Sequence, residues 1–159
     1  MAAGGATRRP AWVECRDGLI ARIGNGDPPR QPDADLDGML LLPGLINAHC
    51  HLDYSHLRGM LTGKRSFSDW IGQINALKRH SSLEDFRAAI EAGFAEAVGF
   101  GTTSLVNIEA YPEIVSGIEA PARTWSAIEG IDIRAPFEFP PLPSLPAVSP
   151  HAPYTASPA

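Results

Sequence analysis

The sequence predicts an α/β fold built on parallel strands. Three observations predict it. Short apolar runs are bounded by turn residues, two amphipathic helical segments with capping signals separate the first such run from the next, and the order that results is strand, helices, strand, short helix, strand. The length of 159 residues suits one compact unit or a piece of a larger one. Hydrophobic residues at 44% and charged residues at 19% exclude a disordered chain. Fifteen glycines and fifteen prolines announce many turns.

Taken in order, residues 1–10 read as a loose basic tail without the apolar segment of a signal peptide. Trp12-Val13, Asp17-Gly18 and Leu19–Ile23 have the pattern of a β-hairpin with a tight Asp-Gly turn. Residues 25–38 are polar and rich in Gly, Pro and Asp, and predict a loop. Apolar residues resume at Met39 and continue past Pro43-Gly44 to His51, which predicts a fully buried strand of a parallel sheet. A helix is expected over Phe67–Lys78, with Phe67, Trp70, Ile71, Ile74 and Leu77 on one face and Ser66 and Asp69 at capping-box spacing. A second follows from Leu83, Phe86, Ile90, Phe94, Ala97 and Val98, capped by Ser81 with Glu84 and stopped by Gly99 and Gly101. Thr102–Ile108 and Arg123–Ile128 have strand composition, and one or two helical turns fit between Tyr111 and Gly117. Pro136, Pro140, Pro141, Pro143 and Pro146 then forbid regular structure, so residues 133–147 are expected to be extended and polyproline-like. The aromatic residues, Trp70 and Trp125 among them, are expected in the core.

Charge and composition narrow the function. A net charge of −5 argues against phosphate-driven nucleic-acid binding. The longest apolar stretch, Met39–Ile46, is far short of the roughly 20 residues of a membrane span. Cys15 and Cys50 cannot build a disulfide framework and read as reduced thiols, which makes the cytoplasm the expected location.

The informative residues are His49 and His51. On a strand, positions i and i+2 share a face, so two imidazoles rooted there can converge on one ion while Cys50 points to the opposite, packed side. The same pair would also suit hydrogen-bonded polar groups in a core. His151, stiffened by Pro150 and Pro153, is a third candidate ligand. Glu129 follows a strand, and a solvated or structural carboxylate and a substrate contact are equally good readings of it. Tyr154 and His56 are weaker substrate-contact candidates; local packing explains Tyr154 as well, and a surface position explains His56 better.

Leu42-Pro43-Gly44-Leu45-Ile46-Asn47-Ala48-His49-Cys50-His51-Leu52 closely resembles the first barrel strand of the amidohydrolase superfamily. Ser149-Pro150-His151-Ala152-Pro153-Tyr154-Thr155 resembles a later signature of its chlorohydrolase and nucleobase-deaminase branch, and Phe100-Gly101-Thr102-Thr103-Ser104 is similar to its second strand. The resemblance implies a (β/α)8 barrel beside a small β-sandwich, with residues 11–42 a sandwich segment and 43–159 the first part of the barrel. It implies His49, His51 and His151 as ligands of one divalent ion, Zn²⁺ ahead of Fe²⁺, whose bound water loses a proton near neutral pH. The reaction it implies is hydrolysis of a non-peptide C–N bond, as in deamination of a nitrogen heterocycle. The family's further histidine, proton-shuttling Glu and ligand Asp have no counterpart in this sequence, and a full barrel takes about 250 residues. The expectation is therefore an incomplete (β/α)8 barrel with no catalytic acid or base of its own, inactive alone. The rival is a non-catalytic remnant or accessory subunit. Expected partners are a small-molecule substrate and either a second copy or a complementing chain over the open strand edges, with no nucleic acid and no membrane.

Overall fold

The computed structural model describes residues 11–63, 66–115, 117–131 and 147–156. The expected tail lies outside them, as does the proline-rich connection up to Pro146. The chain divides into two units, Met1–Pro43 and Gly44–Ala159. In the first, β1 (Ala11–Arg16) pairs antiparallel with β2 (Leu19–Asn25). Asp17 and Gly18 take φ values of 51° and 75°, the left-handed pair that matches the twist of a two-residue hairpin. The Arg22 guanidinium lies 5.4 Å from the centre of the Trp12 ring. These are the strands described in this unit, and residues 26–44 form no regular element.

The second unit runs β3 (Leu45–Cys50), a 3₁₀ turn (Leu52–Leu57), α1 (Phe67–Lys78), α2 (Leu83–Gly99), β4 (Thr102–Glu109), α3 (Pro112–Val115), β5 (Arg123–Gly130) and β6 (Ala147–Pro150). The four strands form one sheet in the order β3-β4-β5-β6, every neighbouring pair parallel. A parallel sheet in sequence order with helical crossovers is an α/β fold that fits part of a (β/α)8 barrel. No helix among the described residues is long and apolar enough to cross a membrane.

The helices begin where side chains satisfy their first free N–H groups. Ser66 accepts the Asp69 N–H at 3.2 Å, as its spacing predicts. In α2 the box sits one residue later than expected. Ser82, with extended backbone, accepts from the Asp85 N–H, and Asp85 Oδ2 accepts the Ser82 N–H at 2.7 Å. The Ser81 hydroxyl is committed elsewhere, against Leu77 O and His56. After Gly99 the chain leaves the helix through Gly101 at φ 85°.

The core lies where α2 crosses the sheet. Phe86, Ile90 and Phe94 pack with Leu105, Leu52 and Ile114, and all six are buried. The expected core is smaller in fact. Trp70, Trp125, Phe67 and Phe100 are exposed, and α1 buries only Ile74. β3 is also corrected: it is a parallel strand but not a buried one, with Ile46 77% exposed. Among the described strands it lies at the edge of the sheet.

Candidate metal centre

Strand register decides which side chains share a face. Cys50 is level with Asn107, and Glu109 with Ile128. Neighbours in register point the same way, and alternate residues point oppositely. Cys50, Leu105, Asn107, Glu109 and Ile128 therefore face α2. His49, Val106, Ile108, Ala127, Glu129 and Ser149 face the other side, and His51 and His151 continue that side just past their strands. All four chemically interesting positions (His51, Glu109, Glu129, His151) stand at the carboxyl ends of parallel strands, the edge where barrel enzymes build sites.

A β-bulge sets the histidine pair on this side. Asn47 pairs with Leu105 and Cys50 with Asn107, so β3 carries one residue more than β4 over this stretch. The His49 N–H donates instead to Asn47 Oδ1 at 3.2 Å. Asn47 thus satisfies the backbone of the residue it re-aims, a role the sequence motif alone did not disclose.

The His49 and His51 ring centres are 5.2 Å apart, with planes at 70°. Two imidazoles on one tetrahedral ion, with metal–nitrogen bonds of about 2.0–2.1 Å, have ring centres about 5 Å apart, so the pair fits a shared divalent ion. His51 Nε2 is 4.0 Å from Glu129 Oε1. The other neighbour of His51 is Tyr54, whose ring stacks on it at 5.1 Å and 18°. Burial holds His51 below its ordinary pKa, against the pull of the Glu129 and Asp53 carboxylates. That favours the neutral imidazole, the form with a lone pair to give.

Cys50 behaves as expected. Its thiol donates to Val106 O at 3.3 Å, packs against the core, and is pushed up to about 11 by burial, which makes it inert.

His151 is exposed. Its N–H donates to Gly130 O at 3.0 Å and extends the β5–β6 ladder. Its Nδ1 lies 2.7 Å from Thr155 Oγ1, and that hydroxyl donates to Ala152 O at 3.1 Å. One hydroxyl proton cannot serve both bonds, so Nδ1–H is the donor to Thr155, and in the neutral ring the lone pair is on Nε2. This is the tautomer a metal ligand needs. His49, His51 and Glu129 are brought together. His151 is not gathered with them, and among the described residues no three His, Cys, Asp or Glu side chains are arranged to hold an ion. β3 and β6 are separated by two strands, and three intervals of about 4.8 Å span about 14 Å in a flat sheet. Tyr154 is exposed and stands edge-on to His151 at 6.4 Å. His56 is half-buried. Its Nδ1 donates to Asp53 O at 2.8 Å, its Nε2 meets Ser81 Oγ at 2.9 Å, and its ring packs edge-on against Phe86.

Two groups escaped the sequence reading. Asn107 and Glu109 are fully buried on the α2 side. Asn107 accepts the Leu52 N–H and donates to Glu109 Oε2, while Glu109 Oε1 accepts the Tyr111 N–H. Their spacing of two along a strand was the available signal. The second is the pairing of Asp53 with Lys78, joined at 3.0 Å with the carboxylate 1% exposed; Asp53 by itself reads from the sequence as pocket lining or local packing. Asp53 follows the histidine pair, but nothing in the spacing ties it to a lysine 25 positions on.

The sequence model of the amidohydrolase family matches residues 40–158. A 5-methylthioadenosine/S-adenosylhomocysteine deaminase of Halobacterium salinarum is 34% identical over 125 residues, covering 73% of this chain and 29% of that protein. A 5'-deoxyadenosine deaminase of Methanothrix thermoacetophila is 27% identical over 152 residues, covering 87% of this chain and 37% of that one. An imidazolonepropionase of Salinispora arenicola is 29% identical over 105 residues, covering 62% and 27%. The chain thus spans well under half the length of each of these relatives.

Proposed function

The chain belongs to the amidohydrolase family, and on that premise we propose that it carries the first part of a metal-dependent C–N hydrolase that deaminates a nitrogen heterocycle. Residues 11–42 are a segment of the accompanying β-sandwich, and 43–159 are the opening part of the barrel. The deaminase names of the Halobacterium and Methanothrix relatives support that reaction class, with a purine-type amine as the group removed.

In this reading His49 and His51 hold one divalent ion, Zn²⁺ ahead of Fe²⁺, with His151 as a third ligand through Nε2. When bound, the ion supplies activation of water and polarisation of the carbon that bears the leaving nitrogen. The chain's own residues do the rest of the local work. Asn47 aims His49, burial keeps His51 neutral, and Thr155 fixes the tautomer of His151. Glu129, largely buried beside His51, is placed to contact a substrate N–H. Tyr154 is a further substrate contact, and His56 serves only through the turn it ties down. The proton-shuttling groups belong to the remainder of the fold, so the 159 residues alone bind metal without turning over substrate.

The observation that carries this reading is the ring spacing of His49 and His51 at the strand ends, on the face opposite α2. Calorimetric titration of the chain with Zn²⁺ tests it. One equivalent should bind, weakly, and a His49→Ala/His51→Ala double variant should abolish binding. Binding unchanged in that variant would refute the site.

A further inference from the structure

We propose that Lys78 is a positioning residue for His51: its ammonium holds Asp53 and Tyr54, and Tyr54 holds the imidazole of His51. The part of this that concerns metal rests on the His49–His51 reading above. The part that concerns the ring of His51 does not.

Lys78 is the last residue of α1. A lysine there has an ordinary explanation, since a cation favours the negative end of a helix from the solvent. Lys78 does something else. Its side chain is 13% exposed, and Nζ stands 3.0 Å from Asp53 Oδ2, 4.2 Å from the centre of the Tyr54 ring, 5.6 Å from Tyr111 and 5.7 Å from Phe86. Three ring faces and one carboxylate enclose it, an arrangement selective for a cation. Burial opposes its charge, but Asp53 and Tyr54 outweigh burial, and its pKa lies above the ordinary lysine value.

Asp53 depends on that cation. It is 1% exposed, and its Oδ1 has no hydrogen-bond partner among the described residues. Removing Lys78 would leave a buried carboxylate without a counter-charge, and the 3₁₀ turn would have to move to hydrate it. That turn begins at the residue after His51 and carries Tyr54, whose ring is the flat surface against which the imidazole lies. The path Lys78–Tyr54–His51 is therefore continuous contact, from a helix end to a ring at the candidate metal centre.

The test uses the full chain and three variants, Lys78→Met, Lys78→Arg and Tyr54→Leu. The first readout is metal-free: the NMR shifts of the His51 ring protons, which the current of the stacked Tyr54 ring displaces. Lys78→Met should move them toward the Tyr54→Leu values and leave those of His151 in place, and Lys78→Arg should keep the wild-type shifts. The second readout is Zn²⁺ affinity by chelator competition, expected to weaken about tenfold in Lys78→Met, as is usual when a supporting partner of a ligand is lost. Wild-type His51 shifts in Lys78→Met overturn the proposal. If that variant does not fold, Lys78→Met/Asp53→Asn removes the unpaired charge. Displaced His51 shifts there support the proposal, and wild-type shifts there overturn it, because Lys78 would then only neutralise Asp53. Loss of the His49–His51 reading would show separately, as wild-type Zn²⁺ binding insensitive to both histidines.

Discussion

Glu109 is a carboxylate with no exposed surface at the end of β4. Burial pushes its pKa up to about 7 from an ordinary 4.5, against the Tyr111 N–H and the Asn107 amide, which pull it down. The folded chain therefore holds this proton more tightly than the unfolded chain does. Stability contributed by the protonated group is intact below about pH 4.5 and is lost as pH rises to about 7, a cost of up to about 3 kcal/mol above that window. Urea unfolding between pH 5 and 8 should show the midpoint falling, and Glu109→Gln should flatten that slope whatever it does to absolute stability. An unchanged slope in the variant would place the titration elsewhere. Glu109 also marks a limit of legibility at this scale. His49 and His51 stand out because imidazoles two apart on an apolar strand have few uses. A carboxylate two positions from an asparagine has many, and only burial singles it out. Asn47 and Lys78 were hidden for a different reason: their roles depend on a bulge and on a contact between distant elements, neither of which leaves a periodic trace.

At the scale of elements, hydrophobic periodicity and turn chemistry located the hairpin, both long helices and β4 and β5 within a residue or two. They failed at two kinds of place. The 3₁₀ turn Leu52–Leu57 has no period long enough to read, and its bonds go to side chains from other elements, Asn107 to its first N–H and His56 to Ser81. At the start of α2 the sequence reading takes Ser81 with Glu84, but Ser82 and Asp85 have the same spacing, so spacing does not distinguish the two. Packing chose, because the Ser81 hydroxyl is drawn to Leu77 O and His56. The two serines should separate in mutagenesis. Ser82→Ala removes the cap and should cost about 1 kcal/mol in thermal or urea unfolding. Ser81→Ala leaves the cap and should cost less, while changing the environment of the His56 ring protons. Equal losses at the two positions, with His56 unaffected by either, would contradict the assigned cap.

The whole molecule is shaped by what covers each face of the sheet. One face carries α2 and the core; on the face with His49, His51 and Glu129, Ile108 and Ala127 are buried while His49 and Trp125 are exposed. Trp125, expected inside, lies on that second face and is exposed, and β3, so apolar in sequence, is largely exposed. Apolar composition reports that a residue needs a partner, not that the partner lies in the same stretch of chain. Among the described residues β3 also has an unpaired edge, and Leu45 and Ile46 are 56% and 77% exposed beside it. An open edge with adjoining apolar side chains is a template for another strand. The chain by itself should therefore associate, with a sedimentation coefficient rising with concentration toward about 100 μM, within the μM–mM range where exposed edges drive association. Ile46→Lys puts a charge on that edge and should shift the distribution toward monomer. Because Ile46 is exposed, the variant's unfolding free energy should change by no more than about 0.5 kcal/mol. A wild-type chain that stays monomeric over the whole range would mean that the edge is satisfied within the molecule. Association that persists undiminished in Ile46→Lys would place the contact on another surface, with the exposed Trp125 and Phe100 the next positions to charge.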